Sequence, residues 1–416
     1  MTENSVTSGM ERFSRRTVLK GAGAATTMAL AGCLGSGGSG GSGGVSVPGI
    51  YDMSGATSDV GEPSAIGSRD AIKWINENDE LDTTIDHEWQ DYAYEVPQAK
   101  SAYDEYTSGS KPPAIVGWGT ADTEALAPSV ARDNIAYISA SYSAKLVTEE
   151  SPYNFFGNLD YTSQARTLLK WISENDPDAK VGFIFSNTAF GKSPVEGGRQ
   201  YAQSLGLDLA DNINLSLTAN SAQSQVRKAK NRNVDYLIHQ NTAAPMQVLL
   251  SDKQDIYPDL NVMGLTYTVD EARVQESPEL FEGVRYASGF KVFNEVMNSD
   301  AEGKQIIQDS FEREGRSMDD PSVANLNYVR GVIHGLMALK GLENAKEVGN
   351  MSSGSDFREG MFQINDWNVR GLAEPFTYEE GDRRPTMSGR VYQVQDGAFE
   401  YDTTIDLPRK DEWIGL

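Results

Sequence analysis

The chain has 416 residues, with 60 Asp plus Glu against 36 Lys plus Arg and a formal net charge of −24. Such a balance repels phosphate backbones and excludes a nucleic-acid binder, and a single cysteine excludes an internal disulfide or a cysteine metal cluster. With 39% hydrophobic and 23% charged residues, the composition is globular and not disordered.

The first element in chain order is a basic stretch, Ser14-Arg15-Arg16-Thr17-Val18-Leu19-Lys20, followed by a run of mostly Ala, Gly and Thr up to Leu30. A membrane span needs about 20 strongly apolar residues, and this run is too short and too polar. It reads as a cleaved export signal, and Arg15 with Arg16 looks like the twin-arginine class, which exports folded proteins. Leu30-Ala31-Gly32-Cys33 resembles a lipobox, in which cleavage before the cysteine frees a thiol for lipid attachment. Cys33 is therefore the expected lipid anchor, each buried CH₂ of its chains contributing about 0.8 kcal/mol. The signal occupies residues 1–33 and a flexible Gly/Ser tether residues 34–44. Gly37-Gly38-Ser39-Gly40-Gly41 matches the hydrolase pattern G-x-S-x-G, but it has no strand before it and no helix after it.

The acidic residues are scattered along the chain, which argues against a disordered acidic tail. Spread over a surface, they keep a protein soluble where salt screening is strong, as a halophile requires. About 370 residues follow the tether, enough for two lobes of ordinary size.

Short apolar runs predict strands at Ala114–Gly117, 135–138, 181–185, 234–238 and Asn261–Gly264. Helical spacing lies between them, as in Tyr161–Asn175, and this alternation indicates βαβ units and parallel sheets. An apolar-striped helix is expected over 322–344, and shorter strands and turns after Gly371. Lys73-Trp74-Ile75-Asn76-Glu77-Asn78-Asp79 recurs as Lys170-Trp171-Ile172-Ser173-Glu174-Asn175-Asp176, each closing an amphipathic helix. Seven residues point to a shared helix-end solution more than to duplication.

Tyr51-Asp52-Met53-Ser54-Gly55 after a first strand, with Gly61 opening a helix, looks like the start of a type I periplasmic binding protein. Gly117-Trp118-Gly119-Thr120, Ile138-Ser139-Ala140-Ser141-Tyr142-Ser143, Asn187-Thr188-Ala189-Phe190-Gly191-Lys192 and Pro375-Phe376-Thr377-Tyr378 continue it in order. The chain resembles the leucine/isoleucine/valine-binding group of ABC-transporter solute receptors from about residue 45 onward. That resemblance implies an α/β fold of two doubly wound parallel-sheet lobes joined by three hinge strands, with the ligand between them. It places residues 45–158 and 290–370 in lobe 1, and residues 159–289 and 371–416 in lobe 2. Lobe closure would be a hinge motion recognised by ABC permease subunits in the membrane. The expected protein is a monomer, anchored by lipid at the extracellular face of the cell membrane. It needs no cofactor and no metal.

Ligands of open parallel sheets sit beyond the carboxyl ends of the strands. Trp118, Thr120, Asp122 and Thr123 follow the strand ending at Gly117, where first-turn N–H groups attract a carboxylate. Thr120 has a second reading as a helix cap. Ser141, Tyr142 and Ser143 match the family's second contact loop, offering hydroxyls and a ring. Phe190 corresponds to an aromatic that closes over the ligand, with Trp118 as the opposite wall.

Amino-acid binders of this group place a glutamate after the strand ending near Gly264, opposite the ligand ammonium. Here Thr266 stands at that place, followed by Tyr267. An ammonium buried without an acid is costly, so either Asp122 or Asp270 takes over or the ligand has no ammonium. Asp122 is also a favourable first-turn acid. The solute is thus an apolar amino acid, branched-chain first, or an amine-free carboxylate, including aromatic ones. His87, His239 and His334 lack metal spacing, and no Walker or dinucleotide motif is present. A doubly wound esterase or amidase is the enzymatic alternative, and a tethered sensor of solute the other rival; neither displaces a non-enzymatic receptor.

Overall fold

A computed structural model describes residues 43–409. The export signal, Cys33 and nearly all of the tether lie outside these residues.

Two open sheets carry the fold. In the first, the strands run in the order Trp89–Asp91, Gly49–Tyr51, Ala114–Gly117, Ala136–Ser139, Asn154–Phe156, all parallel. The second has Ile213–Asn214, Lys180–Phe185, Tyr236–Gln240, Asn261–Gly264 and Arg285–Ser288 in parallel, with Asp208–Leu209 beside Lys180–Phe185. Ser388–Gln395 and Ala398–Asp406 extend it as an antiparallel hairpin. Strands alternating with helices, and central strands buried on both faces, are what the apolar runs dictate.

The chain crosses between the sheets three times: after Asn154–Phe156, after Arg285–Ser288 and before Ser388–Gln395. The crossings are tied together. Asn158 Oδ1 accepts the N–H groups of Leu159 and Gly289, and its Nδ2 donates to Thr266 Oγ1 at 3.0 Å. Phe290 and Ala373 form a bridge, and the Glu374 N–H reaches the carbonyl of Gly289.

The helix Leu326–Val348 packs along Ser58–Glu77 beside the first sheet. Their backbones meet closely, because a side chain at Gly331 would stand 2.0 Å from the Ser64 carbonyl oxygen. Only glycine permits that approach. The expected start at 322 is four residues early: Asn325 caps the helix by accepting the N–H groups of Asn327 and Tyr328, while Ser322 is bonded to Asp320. The strand expected at 234–238 lies at Tyr236–Gln240, since the polar His239 and Gln240 extend the ladder beside Ile184 and Phe185. The region after Gly371 holds longer strands than expected, of 8 and 9 residues. Their turn is Asp396-Gly397 with φ of 50° and 79°, the pair of positive angles that a tight hairpin demands.

The repeated Lys-Trp-Ile segments are a shared helix end. Asn78 Nδ2 donates to the Trp74 carbonyl and Asn175 Nδ2 to the Trp171 carbonyl, both at 2.8 Å. Each tryptophan also donates its indole N–H to an aspartate and carries an arginine over its ring. Among the described residues no helix is long and apolar enough to cross a membrane, and no group of His, Cys, Asp and Glu is placed to hold a metal ion.

Candidate functional site

Residues just past the carboxyl ends of strands from both sheets line one narrow cleft. Its walls are aromatic: Trp118 and Tyr94 come from the first sheet's side, Phe190 and Tyr267 from the second, and Tyr161 from the helix after the first crossing. Ring contacts join them. Tyr267 meets Trp118, Tyr161 and Phe190 edge to face at centroid distances of 5.5, 6.4 and 5.8 Å, and stacks on Tyr142. Such pairs add about 0.5–1.5 kcal/mol beyond area burial and hold the wall rigid.

Three helix N-termini meet at this cleft through Thr57, Gly119 with Thr120, and Thr242, which open Ser58–Glu77, Thr120–Asp133 and Ala243–Ile256. None of the three N-cap residues makes a side-chain capping bond. Each N-terminus carries roughly half a positive charge on its unsatisfied N–H groups, so the set attracts a carboxylate. Among the described residues no charged side chain lines the cleft. At Gly119 a Cβ would lie 2.3 Å from both Asp122 Oδ1 and the Tyr92 hydroxyl, which reserves the place for glycine and keeps the main chain open to a ligand.

The structure brings Trp118, Thr120, Phe190 and Tyr267 together at the cleft wall. Trp118 Nε1 donates to Thr57 Oγ1 at 2.8 Å. Thr120 is the first helical residue and Gly119 the N-cap, so the threonine does not cap its helix; its hydroxyl accepts from Ser141. Ser141 and Tyr142 form the layer behind that wall, both fully buried. Thr123, Ser143 and Thr266 are turned to other work. The Thr123 hydroxyl donates to the Gly119 carbonyl, and that of Ser143 donates to Glu124. Thr266 accepts from Asn158 and from Arg330.

Asp122 lies behind Gly119. Its Oδ1 accepts the Tyr92 hydroxyl at 2.9 Å, and burial pushes its pKa up to about 6. It is a first-turn acid of the helix Thr120–Asp133. Asp270 caps the helix Glu271–Glu276 through the Arg273 N–H and does not line the cleft. Burial raises the pKa of Asp59, and the Ala244 N–H at the start of Ala243–Ile256 lowers it.

Thr57, Tyr94, Tyr161, Thr242 and Arg330 were missed. Thr242 carries the same signal as Thr120, a polar turn after an apolar strand, and was within reach of sequence reasoning. Tyr161 and Arg330 sit on helices read as packing elements, and only tertiary structure brings them here.

A family profile described as Periplasmic binding protein matches residues 44–398. The chain belongs to the periplasmic binding protein family. It is a solute-binding protein and not an enzyme. Its fold matches the ABC transporter substrate-binding protein of Aeropyrum pernix at 28% identity and a TM-score of 0.82, covering 89% of this chain and 98% of that one. The branched-chain amino acid ABC transporter protein of Thermus thermophilus, with bound valine, has 21% identity, the same coverages and a TM-score of 0.82. A solute-binding protein of R. palustris in complex with benzoate has 14% identity and a TM-score of 0.74, with 90% of this chain and 99% of that one covered. No curated protein sequence matches the chain.

Proposed function

We propose that this binding protein is the solute receptor of an ABC importer, and that two lobes close on a small carboxylate with an apolar body. The observation that supports the reading best is the convergence of three helix N-termini, whose N-cap residues make no side-chain capping bond, on an aromatic cleft whose described lining carries no charged side chain. The carboxylate takes the N–H groups at Thr120 and Ala243, and the body takes the space between Trp118, Phe190 and Tyr267. Branched-chain and other apolar amino acids share this size and polarity with amine-free acids, and the relatives from T. thermophilus and R. palustris carry one of each kind.

The moving bodies are residues 45–158 with 290–370 and residues 159–289 with 371–416, turning about the three crossings that Asn158, Gly289 and Ala373 tie. Closing buries the solute between the cleft walls, and the closed face is what permease subunits read. Cys33 holds the body at the extracellular face of the membrane; a Cys33→Ser variant should leave the membrane fraction, and unchanged retention would contradict the anchor.

Thermal-shift titration in molar salt with small acids, their amides and sugars tests the receptor reading. Binding to the folded form alone at a hundredfold excess over Kd raises stability by about 2.7 kcal/mol. Apolar acids should shift the midpoint, and a response confined to sugars would overturn the reading.

A further inference from the structure

We propose that Arg330 sets the charge preference of the cleft and that the solute is a carboxylate without an ammonium group. This rests on the carboxylate-receptor reading and narrows it.

Arg330 lies in the helix Leu326–Val348 and is fully buried. Its guanidinium donates to the Thr266 carbonyl at 2.8 Å, to Thr266 Oγ1 at 3.0 Å and to Asn327 Oδ1. All three acceptors are neutral. Its Nε has no hydrogen-bond partner, and among the described residues no carboxylate pairs with it. A buried cation without a counter-ion is costly. The guanidinium lies 4.1 Å from the centroid of the Tyr267 ring and 5.3 Å from that of Phe290. Tyr267 is itself cleft wall, so one aromatic ring separates the cation from the solute. An anion in the cleft supplies the missing charge through a medium of low dielectric, and an ammonium there meets repulsion.

The acids around the cleft are engaged with helix ends. Asp52 accepts Gly55 N–H, Thr57 N–H and the Thr57 hydroxyl. Asp122 accepts the Tyr92 hydroxyl, and Asp59 stands in the first turn of Ser58–Glu77. Asp59 and Asp122 each keep one oxygen without a partner. Neither lines the cleft, whereas the Tyr267 ring that Arg330 backs does. The Ala140 carbonyl, an acceptor at the cleft wall, is already taken by the Tyr267 hydroxyl. Helix ends, bonded acids and a backing cation all point to a single negative charge on the solute.

The test is calorimetric titration of the full chain in molar salt with pairs of one carbon skeleton: valine against isovalerate, phenylalanine against hydrocinnamate. The acid of the better-fitting pair should bind at least about tenfold more tightly than its amino acid. Thr266→Glu sets a carboxylate against Arg330 and should erase that preference, while Thr266→Gln keeps it. Should Thr266→Glu not fold, Arg330→Lys is expected to keep the preference and Arg330→Gln to lose it. An amino acid that binds as tightly as its acid or tighter, and weakens on Asp122→Asn, overturns this inference and leaves the receptor reading standing. Binding of neither pair, with binding of an uncharged amide or a sugar, overturns both.

Discussion

The Tyr267 hydroxyl donates to the main-chain oxygen of Ala140 at 2.5 Å, joining a loop of the second sheet to the end of a strand in the first. The contact spans the cleft at its aromatic wall, where the same ring stacks on Tyr142 with 7° between the planes. The tie between the two sheets and the shape of the pocket thus share one side chain.

Tyr267→Phe keeps the ring and removes the bond. The variant should lose about 1 kcal/mol of stability, with more if Ala140 is left without a donor. Solute affinity should fall several-fold, and small-angle scattering of the free protein should show a more open average shape. An unchanged midpoint and affinity would mean that the bond does nothing for closure.

Three buried acids and three buried histidines set opposing pH dependences. Burial raises Glu271 from 4.5 to about 7, although its carboxylate accepts the N–H groups of Phe293 and Leu326. Burial likewise raises Asp122 and Asp270 from 3.8 to about 6. A folded pKa above the unfolded one means that the native state holds the proton more tightly. The associated stability is fully present below the unfolded pKa and is lost as pH rises through the folded one. The acids alone make the melting midpoint fall from about pH 4.5 to 7, each contributing at most about 1.4 kcal/mol per unit, while buried His87, lowered to about 4, and His239 and His334, lowered to about 3, oppose them up to about pH 6.5, where the unfolded state binds more protons. Glu271→Gln should flatten the upper part of that slope. Glu314, lowered to about 2 by Lys73 and Arg313, works the other way and governs the acid limb below pH 4.5. Identical pH profiles for the parent and Glu271→Gln would contradict the Glu271 assignment.

Salt should stabilise the fold. A net charge of −24 makes the compact state repel itself at low ionic strength, and the Debye length shrinks from about 30 Å at 0.01 M to 3 Å at 1 M. The melting midpoint should rise between dilute buffer and molar potassium chloride. A flat response would remove the case for a salt-adapted surface.

The fold was largely legible because its central strands are short apolar runs with turn residues at both ends. Ala114–Gly117 and Asn261–Gly264 stand where the pattern puts them. Tyr236–Gln240 was misplaced because a fully buried His239 and Gln240 do not look like strand, though the ladder demands only their backbones. The final hairpin was underestimated although Asp396-Gly397 marks its turn. In the site, Trp118, Thr120, Phe190 and Tyr267 were readable because each follows a strand end. Arg330 was not: an arginine in an apolar helical stripe reads as a flaw until the fold sets it against Thr266 and the Tyr267 ring. Ser143 and Thr123 do not line the cleft, and their hydroxyls bond to Glu124 and to the Gly119 carbonyl.

The most direct test of the central claim, that uncapped helix ends in an aromatic cleft hold a carboxylate, is calorimetric titration with one acid and its primary amide. Isovalerate and isovaleramide share shape and apolar body and differ in charge. Charge-assisted bonds are roughly twice as strong as neutral ones, so the acid should bind at least about tenfold more tightly in molar salt. Equal affinities, or tighter binding of the amide, would contradict the account.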